Sequence, residues 1–291
     1  MKRTILTAFV ALYNIILIPL SFACQTEDSN IEFKKISDKL YLVMGGEGAN
    51  GGIYIGDDGV LLVESKSVKK DVDYVFDRIR ELTDKPVKYV INTHYDLDHT
   101  WGNQFLPESV LVIGHENLKK DLFHPKSRYK EYLDNKEFIQ SLPSITFRDK
   151  MDIQLGKSNI ELWYFGIGHS TGDIVVFLPE EKFAFVGDQV FLGMTPGVYS
   201  EIGGSIFKHL NTLRKMLDTI DADRFINGHY NSILSRTDIW NYIFELRKKQ
   251  EKVRELLNKG KNLDEVKKEF DEIYRYIIES MYNELKNKIN K

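Results

Sequence analysis

The chain has 291 residues, 42% hydrophobic and 12% aromatic, enough apolar material for one large domain or two small ones. Its formal net charge is −3, with both signs mixed along the chain, so no nucleic-acid partner is expected. The single cysteine, Cys24, excludes an intramolecular disulfide and a thiolate metal cluster, leaving His and carboxylate as the metal-binding chemistry.

The N-terminus reads as an export signal over residues 1–23. Lys2 and Arg3 precede an apolar stretch from Ile5 to Leu20, and Ser21-Phe22-Ala23 places small residues where a signal peptidase reads. Cys24 follows directly and resembles the lipid-modified first residue of a bacterial lipoprotein, although Ser21 stands where such signals usually carry Leu. The expectation is a periplasmic or lipid-anchored protein, with residues 24–30 as a polar tether. Ordinary secretion and an uncleaved anchor are the alternatives. The latter is disfavoured because Asn14 and Pro19 interrupt a run that is short for a bilayer span.

Three short strands follow at Lys39–Met44, Gly51–Ile55 and Val60–Glu64, with Asp58-Gly59 as a hairpin signal. Apolar residues at 68, 72, 75, 76, 79 and 82 predict a helix over Val68–Leu82, ended before Pro86. Strands are expected at Val87–Ile91 and Val110–Ile113, a helix at His115–Phe123, and a helical excursion at 124–143 between Pro125 and Pro143. A second set of strands is expected at Ser144–Phe147, Met151–Leu155, Ile160–Phe165, Ile174–Leu178 and Phe183–Val186. A helix at 204–220 then leads to the strand Phe225–Ile226, and long helices at 237–257 and 263–289 close the chain. The order implies two face-to-face sheets with helices outside. A body over 31–235 carries a C-terminal helical extension, 236–291, packed on it.

The chemistry concentrates just past the strand at Val87–Ile91, where His94, Asp96, Asp98 and His99 fall within six positions. On extended backbone His94, Asp96 and Asp98 would share one side, with His99 aimed elsewhere. One short segment could thus serve two adjacent metal ions. The pattern of a strand, a glycine and then a ligand type recurs at Gly168-His169, Gly187-Asp188 and Gly228-His229. His115, His124 and His209 read as capping, surface and structural residues. Trp101 and Trp163 read as core, and Tyr95 is a candidate for lining the cleft.

In the order His94-x-Asp96-x-Asp98-His99, Gly168-His169-Ser-Thr-Gly-Asp173, Gly187-Asp188 and Gly228-His229, the chain resembles the metallo-β-lactamase-fold superfamily. The resemblance covers about residues 31–235. It implies an αββα sandwich with a two-metal hydrolytic site along one sheet edge. His94, Asp96 and His169 would bind the first metal, Asp98, His99 and His229 the second, and Asp188 would bridge them. Two divalent ions are implied, zinc first, with iron or manganese as alternatives. Asp96 departs from the family's usual His, and flavodiiron relatives with a carboxylate there bind iron. Glu64-Ser65-Lys66 departs from Asp-Thr/Ser-Gly. Thr93, Thr171 and Asp173 are candidates to fix the other ring nitrogen of the His ligands, with a structural bond in the turn the favoured reading of Asp173.

The function implied is an exported hydrolase that uses a metal-bound hydroxide on an ester, thioester, lactam or sulfate-like bond, with Asp98 also orienting the nucleophile or its proton. A di-iron redox protein and a non-catalytic binding lipoprotein are the alternatives. The partner expected is a small-molecule substrate, with membrane contact only through Cys24.

Overall fold

Alternation along the strands builds the molecule. Leu40, Leu42 and Met44 point one way and Val43 the other; Leu61 and Val63 oppose Val60 and Leu62; Val176 and Leu178 oppose Val175 and Phe177. Strands apolar on both faces must be covered on both, and this sets the layering. The computed structural model describes residues 30–192 and 197–289. The export-signal and tether readings, with Cys24, therefore lie outside the described residues, apart from Asn30.

The first sheet has seven strands in sequential order: β1 (Ile31–Lys35), β2 (Leu40–Gly45), β3 (Gly51–Ile55), β4 (Val60–Val63), β5 (Val87–Ile91), β6 (Leu111–His115) and β7 (Ile145–Phe147). β1 to β4 run antiparallel, and β4 to β7 pair in parallel. The second sheet has six strands: β8 (Lys150–Leu155), β9 (Ser158–Trp163), β10 (Val175–Leu178), β11 (Phe183–Phe185), β12 (Arg224–Ile226) and β13 (Leu234–Ser235), in the order β13-β12-β11-β10-β9-β8. Leu40, Leu61, Ile91 and Ile113 of the first sheet meet Ile160, Leu162, Val176 and Phe185 of the second in the central core.

Helix α1 (Lys69–Leu82) covers the outer face of the first sheet with Val75 and Ile79. A four-residue helix, α2 (Leu97–Thr100), carries part of the metal motif; α3 (Glu116–Leu122) and α4 (Lys136–Gln140) follow. Helices α5 (Ile206–Thr219), α6 (Arg236–Asn258), α7 (Leu263–Lys267) and α8 (Arg275–Ile289) cover the second sheet in one shared core. The result is the αββα sandwich expected, with the C-terminal helices packed on it. No helix of the described residues is long and apolar enough to cross a membrane.

Two expectations are corrected, and two edge strands had not been expected. The stripe from Leu263 to Leu285 belongs to two helices, because the chain doubles back after Lys267. Val266, Ile277 and Met281 thereby enter one core, while Ile273 at the break is half exposed. A straight helix of that length would run about 40 Å and could not fold both ends onto one sheet. The 124–143 excursion holds a single short α-helix, α4, and it packs on the motif loop through Tyr129, Phe138 and Leu142. Strands β1 and β13, both at sheet edges, were not foreseen.

Candidate metal centre

The motif loop is rigid before any ligand is considered. Asn92 donates to the His99 carbonyl (2.9 Å) and accepts from Asn103 (2.7 Å), and both Asn side chains are buried. The backbone bends after Asn92, and the Asp96 carbonyl accepts from the amides of His99 (3.0 Å) and Thr100 (3.1 Å), which starts α2. The simple alternation expected for His94, Asp96 and Asp98 therefore fails at Leu97. Helical backbone carries Asp98 away from His94 and Asp96 and toward His99.

The seven expected residues meet, in two adjoining groups: His94, Asp96, His169 and Asp188, and beside them Asp98, His99 and His229. Asp96 Oδ2 lies 3.6 Å from His94 Nε2 and 3.4 Å from His169 Nε2. Asp98 Oδ2 lies 3.7 Å from His99 Nε2 and 3.2 Å from His229 Nε2. Asp188 spans the two groups, 3.9 Å from His94 Nε2, 3.4 Å from His99 Nε2 and 3.1 Å from His229 Nε2. The approach depends on Gly228, where a methyl group would overlap Asp188 Oδ1 and His99 Cε1.

The donor set fits a pair of cations. Among the described residues, buried His94 Nε2, His99 Nε2, Asp96 Oδ1 and Asp188 Oδ1 find no hydrogen-bond partner, a costly state for polar atoms unless another group satisfies them. Three carboxylates face four imidazoles here, and no Lys or Arg of the described residues pairs with them. An ion with tetrahedral bonds near 2.0–2.1 Å separates its ligand atoms by roughly 3.3 Å, close to the spacings observed. The electrostatics agree. Burial opposes charge on His169, yet Asp96 facing it pushes it up to about 9. His229 is raised to about 9 by its bonds to Asp188 and Asp98. Burial likewise opposes ionisation of Asp188, but His99 and His229 hold it well below the usual carboxylate range.

Three of the four remaining ring nitrogens lie beside a group that can aim them. His94 Nδ1 lies 3.0 Å from Thr93 Oγ1, as expected for Thr93. His99 Nδ1 lies 3.0 Å from Glu64 Oε1, and Glu64 also accepts from the Thr93 amide. His169 Nδ1 lies 2.9 Å from the Gly197 carbonyl. Thr171 does not serve a His: its amide and hydroxyl are both held by Asp121. Asp173 accepts from the amide and hydroxyl of Ser170, a bond within the turn. Tyr95 is fully buried beneath Tyr199 and so backs the first group instead of lining an open cleft. His115 caps α3, and buried His209 bonds the Gln189 carbonyl.

Sequence reasoning missed Glu64, Tyr199 and Arg128. For Glu64 a signal existed, the departure at Glu64-Ser65-Lys66. Tyr199 donates to Asp96 Oδ2 at 2.8 Å, and Arg128 donates to the Tyr199 oxygen at 2.6 Å. Neither sits in a recognisable pattern.

Comparison with known proteins bears directly on this centre. Residues 44–229 match the Metallo-beta-lactamase superfamily. The 2,4-dinitroanisole O-demethylase subunit alpha of Nocardioides sp. (strain JS1661) is 25% identical over 185 residues, 60% of this chain and 50% of that protein. The chain thus spans about half the length of this curated relative. Among solved structures, the metallo-beta-lactamase from Pontibacter korlensis aligns with TM-score 0.62 at 18% identity, covering 75% of this chain and 99% of that one. The DIM-1 metallo-beta-lactamase aligns with TM-score 0.61 at 20% identity, covering 75% and 97%. The sequence match extends over most of the sandwich and all seven converging His and Asp residues, and the chain belongs to the metallo-β-lactamase superfamily.

Proposed function

We propose that the chain is an exported, metal-dependent hydrolase holding two divalent cations. The carrying observation is the convergence of seven His and Asp side chains from four separated segments, with buried donor atoms left unpartnered. His94, Asp96 and His169 would hold one cation, Asp98, His99 and His229 the other, with Asp188 between. When bound, such cations bring the pKa of water down to about 7 and polarise a substrate oxygen. The chain's own residues do the rest. Asp188 holds the two groups in register. Thr93, Glu64 and the Gly197 carbonyl fix the imidazoles. Asp98, its side chain 39% exposed, is the carboxylate placed to orient a nucleophile or take up its proton on the open side.

Zinc is the proposed metal, with iron or manganese made more competitive by the harder carboxylate of Asp96. The proposed substrates are esters, thioesters, lactams or sulfate-like bonds. The relative named for O-demethylation of 2,4-dinitroanisole adds an aryl methyl ether to the compounds to be tried. Export rests on the sequence of residues 1–24, and the N-terminus of the mature chain tests it.

The activity test is a panel of such reporters, run with purified chain loaded with zinc, iron or manganese. Turnover of at least one class is expected, abolished by chelation and restored by the metal. Turnover indifferent to chelation, or silence across the panel from a fully loaded chain, would overturn the hydrolase reading.

A further inference from the structure

Asp96 stands where the family's usual ligand is an imidazole. An imidazole ligand is aimed by a bond to its second ring nitrogen; a carboxylate has no such handle and can rotate. The structure supplies a substitute. The Tyr199 hydroxyl donates to Asp96 Oδ2 (2.8 Å), the oxygen that faces both His94 and His169. Behind it, Arg128 donates to the Tyr199 oxygen (2.6 Å), and its guanidinium lies 5.1 Å from the Tyr129 ring centroid and 5.5 Å from that of Tyr199. The direction of donation is consistent along the chain: Arg N–H to Tyr oxygen, Tyr O–H to carboxylate. A charged donor on a phenol oxygen strengthens the phenol as a donor in turn.

The supports of this chain are themselves fixed. The Tyr199 amide donates to the His169 carbonyl (2.9 Å), and the Tyr199 carbonyl accepts from Gly204 (2.9 Å). Tyr276 of α8 donates to the Val198 carbonyl (3.2 Å), so the C-terminal extension braces the segment that carries Tyr199. The Tyr199 ring packs against His169 (centroids 4.5 Å apart) and Tyr95 (5.7 Å). Tyr129 belongs to the excursion that packs on the motif loop.

We propose that Tyr199, backed by Arg128, is a positioning residue that fixes the Asp96 carboxylate as a direct ligand of the first centre. The chain thereby keeps a first metal site without the usual histidine. This inference rests on the two-cation reading above and deepens it. Arg128 acts through Tyr199, and Tyr199 acts through Asp96; neither touches the reacting atoms.

Zinc titration of the full chain by calorimetry, with the bound metal counted by atomic emission, tests it without reference to turnover. Wild type should bind two zinc ions. Tyr199→Phe should weaken one of the two sites about 10–100-fold and leave the other unchanged. Arg128→Met should give a smaller loss in the same site, and Arg128→Lys should recover part of it. The decisive arm is an Asp96→His background, where the imidazole no longer needs the phenol: there Tyr199→Phe should change neither site by more than about 3-fold. Two unweakened sites in Tyr199→Phe would overturn the inference and leave the proposed function standing. An equal loss in the Asp96→His background would also overturn it, by making Tyr199 a general packing element. A wild-type chain that binds no zinc, iron or manganese would overturn both.

Discussion

The two halves of the metal centre are built differently. The first, His94, Asp96 and His169, is enclosed, each side chain 5% exposed or less. The second, Asp98, His99 and His229, has one sealed residue and two open ones, Asp98 at 39% and His229 at 28%. Structural metal sites are closed and catalytic ones keep an open position. On the proposed two-cation reading, the contrast gives holding and alignment to the first half and substrate access to the second. The carboxylate in the enclosed half fits this division, because a ligand that is never exposed can be held from behind by Tyr199.

Asp188 is the residue the halves share, and its loss should erase the difference between them. Asp188→Asn is expected to reduce bound metal to less than one ion per chain and hydrolysis by roughly 100-fold or more, as read by metal analysis and turnover. A variant that kept either half at full affinity would show that the halves are independent.

Glu64→Gln should separate them. Glu64 faces His99 directly and reaches the first half only through the Thr93 amide, an acceptor role that Gln keeps. Zinc affinity of the second centre is expected to fall about 10–100-fold with the first unchanged, as followed by competition with a chromophoric chelator. Equal weakening of both would place Glu64 in the general scaffold.

Lys66 tests the loop that borders only the open half. Its ammonium is buried and donates to the carbonyls of Gly45 (2.5 Å) and Ala49 (2.8 Å), while the Ala49 and Asn50 amides bond the Asp98 and Gly228 carbonyls. Burial pushes the Lys66 pKa down from 10.5 to about 8, with Asp71 and Glu64 opposing. Below pH 8 folded and unfolded chains both hold the proton, and the buried charge costs stability. Between about pH 8 and 10.5 the folded chain has released a proton that the unfolded chain keeps, so stability rises with pH across that window. The rise is at most about 3 kcal/mol. Urea unfolding at pH 7.5 and 9.5 should show it in wild type and not in Lys66→Met; an unchanged slope in the variant would remove Lys66 as its source.

The smallest effect is expected at Thr93→Val, which removes the bond to His94 Nδ1 in the enclosed half. A neutral hydrogen bond is worth about 1 kcal/mol, so first-site affinity should fall about 5-fold. No change on zinc titration would mean that packing alone orients His94.

The same division governs what could be read from the sequence. The sandwich was legible because the inner strands, such as β3, β4, β10 and β11, are buried on both faces and appear as short apolar runs between turns. β1 escaped because Ile31–Lys35 is mostly polar and exposed and carries little apolar pattern, and β13 because it is only two residues, paired with β12. The C-terminal stripe misled because α7 and α8 place their apolar residues in one phase across a reversal. The ligands were legible because four of them cluster just past the end of β5 and the other three, His169, Asp188 and His229, each directly follow a glycine. Their supports were not. Glu64 reaches His99 across 35 positions and Tyr199 reaches Asp96 across 103, and no local period marks a contact that only the folded chain creates.

Anomalous X-ray diffraction at the zinc edge, on crystals of the zinc-loaded chain, tests the centre most directly. Two peaks are expected, one among His94, Asp96 and His169 and one among Asp98, His99 and His229, both against Asp188. A single peak at the second group, with the Asp96 carboxylate turned away, would contradict a two-cation centre in which Asp96 replaces histidine.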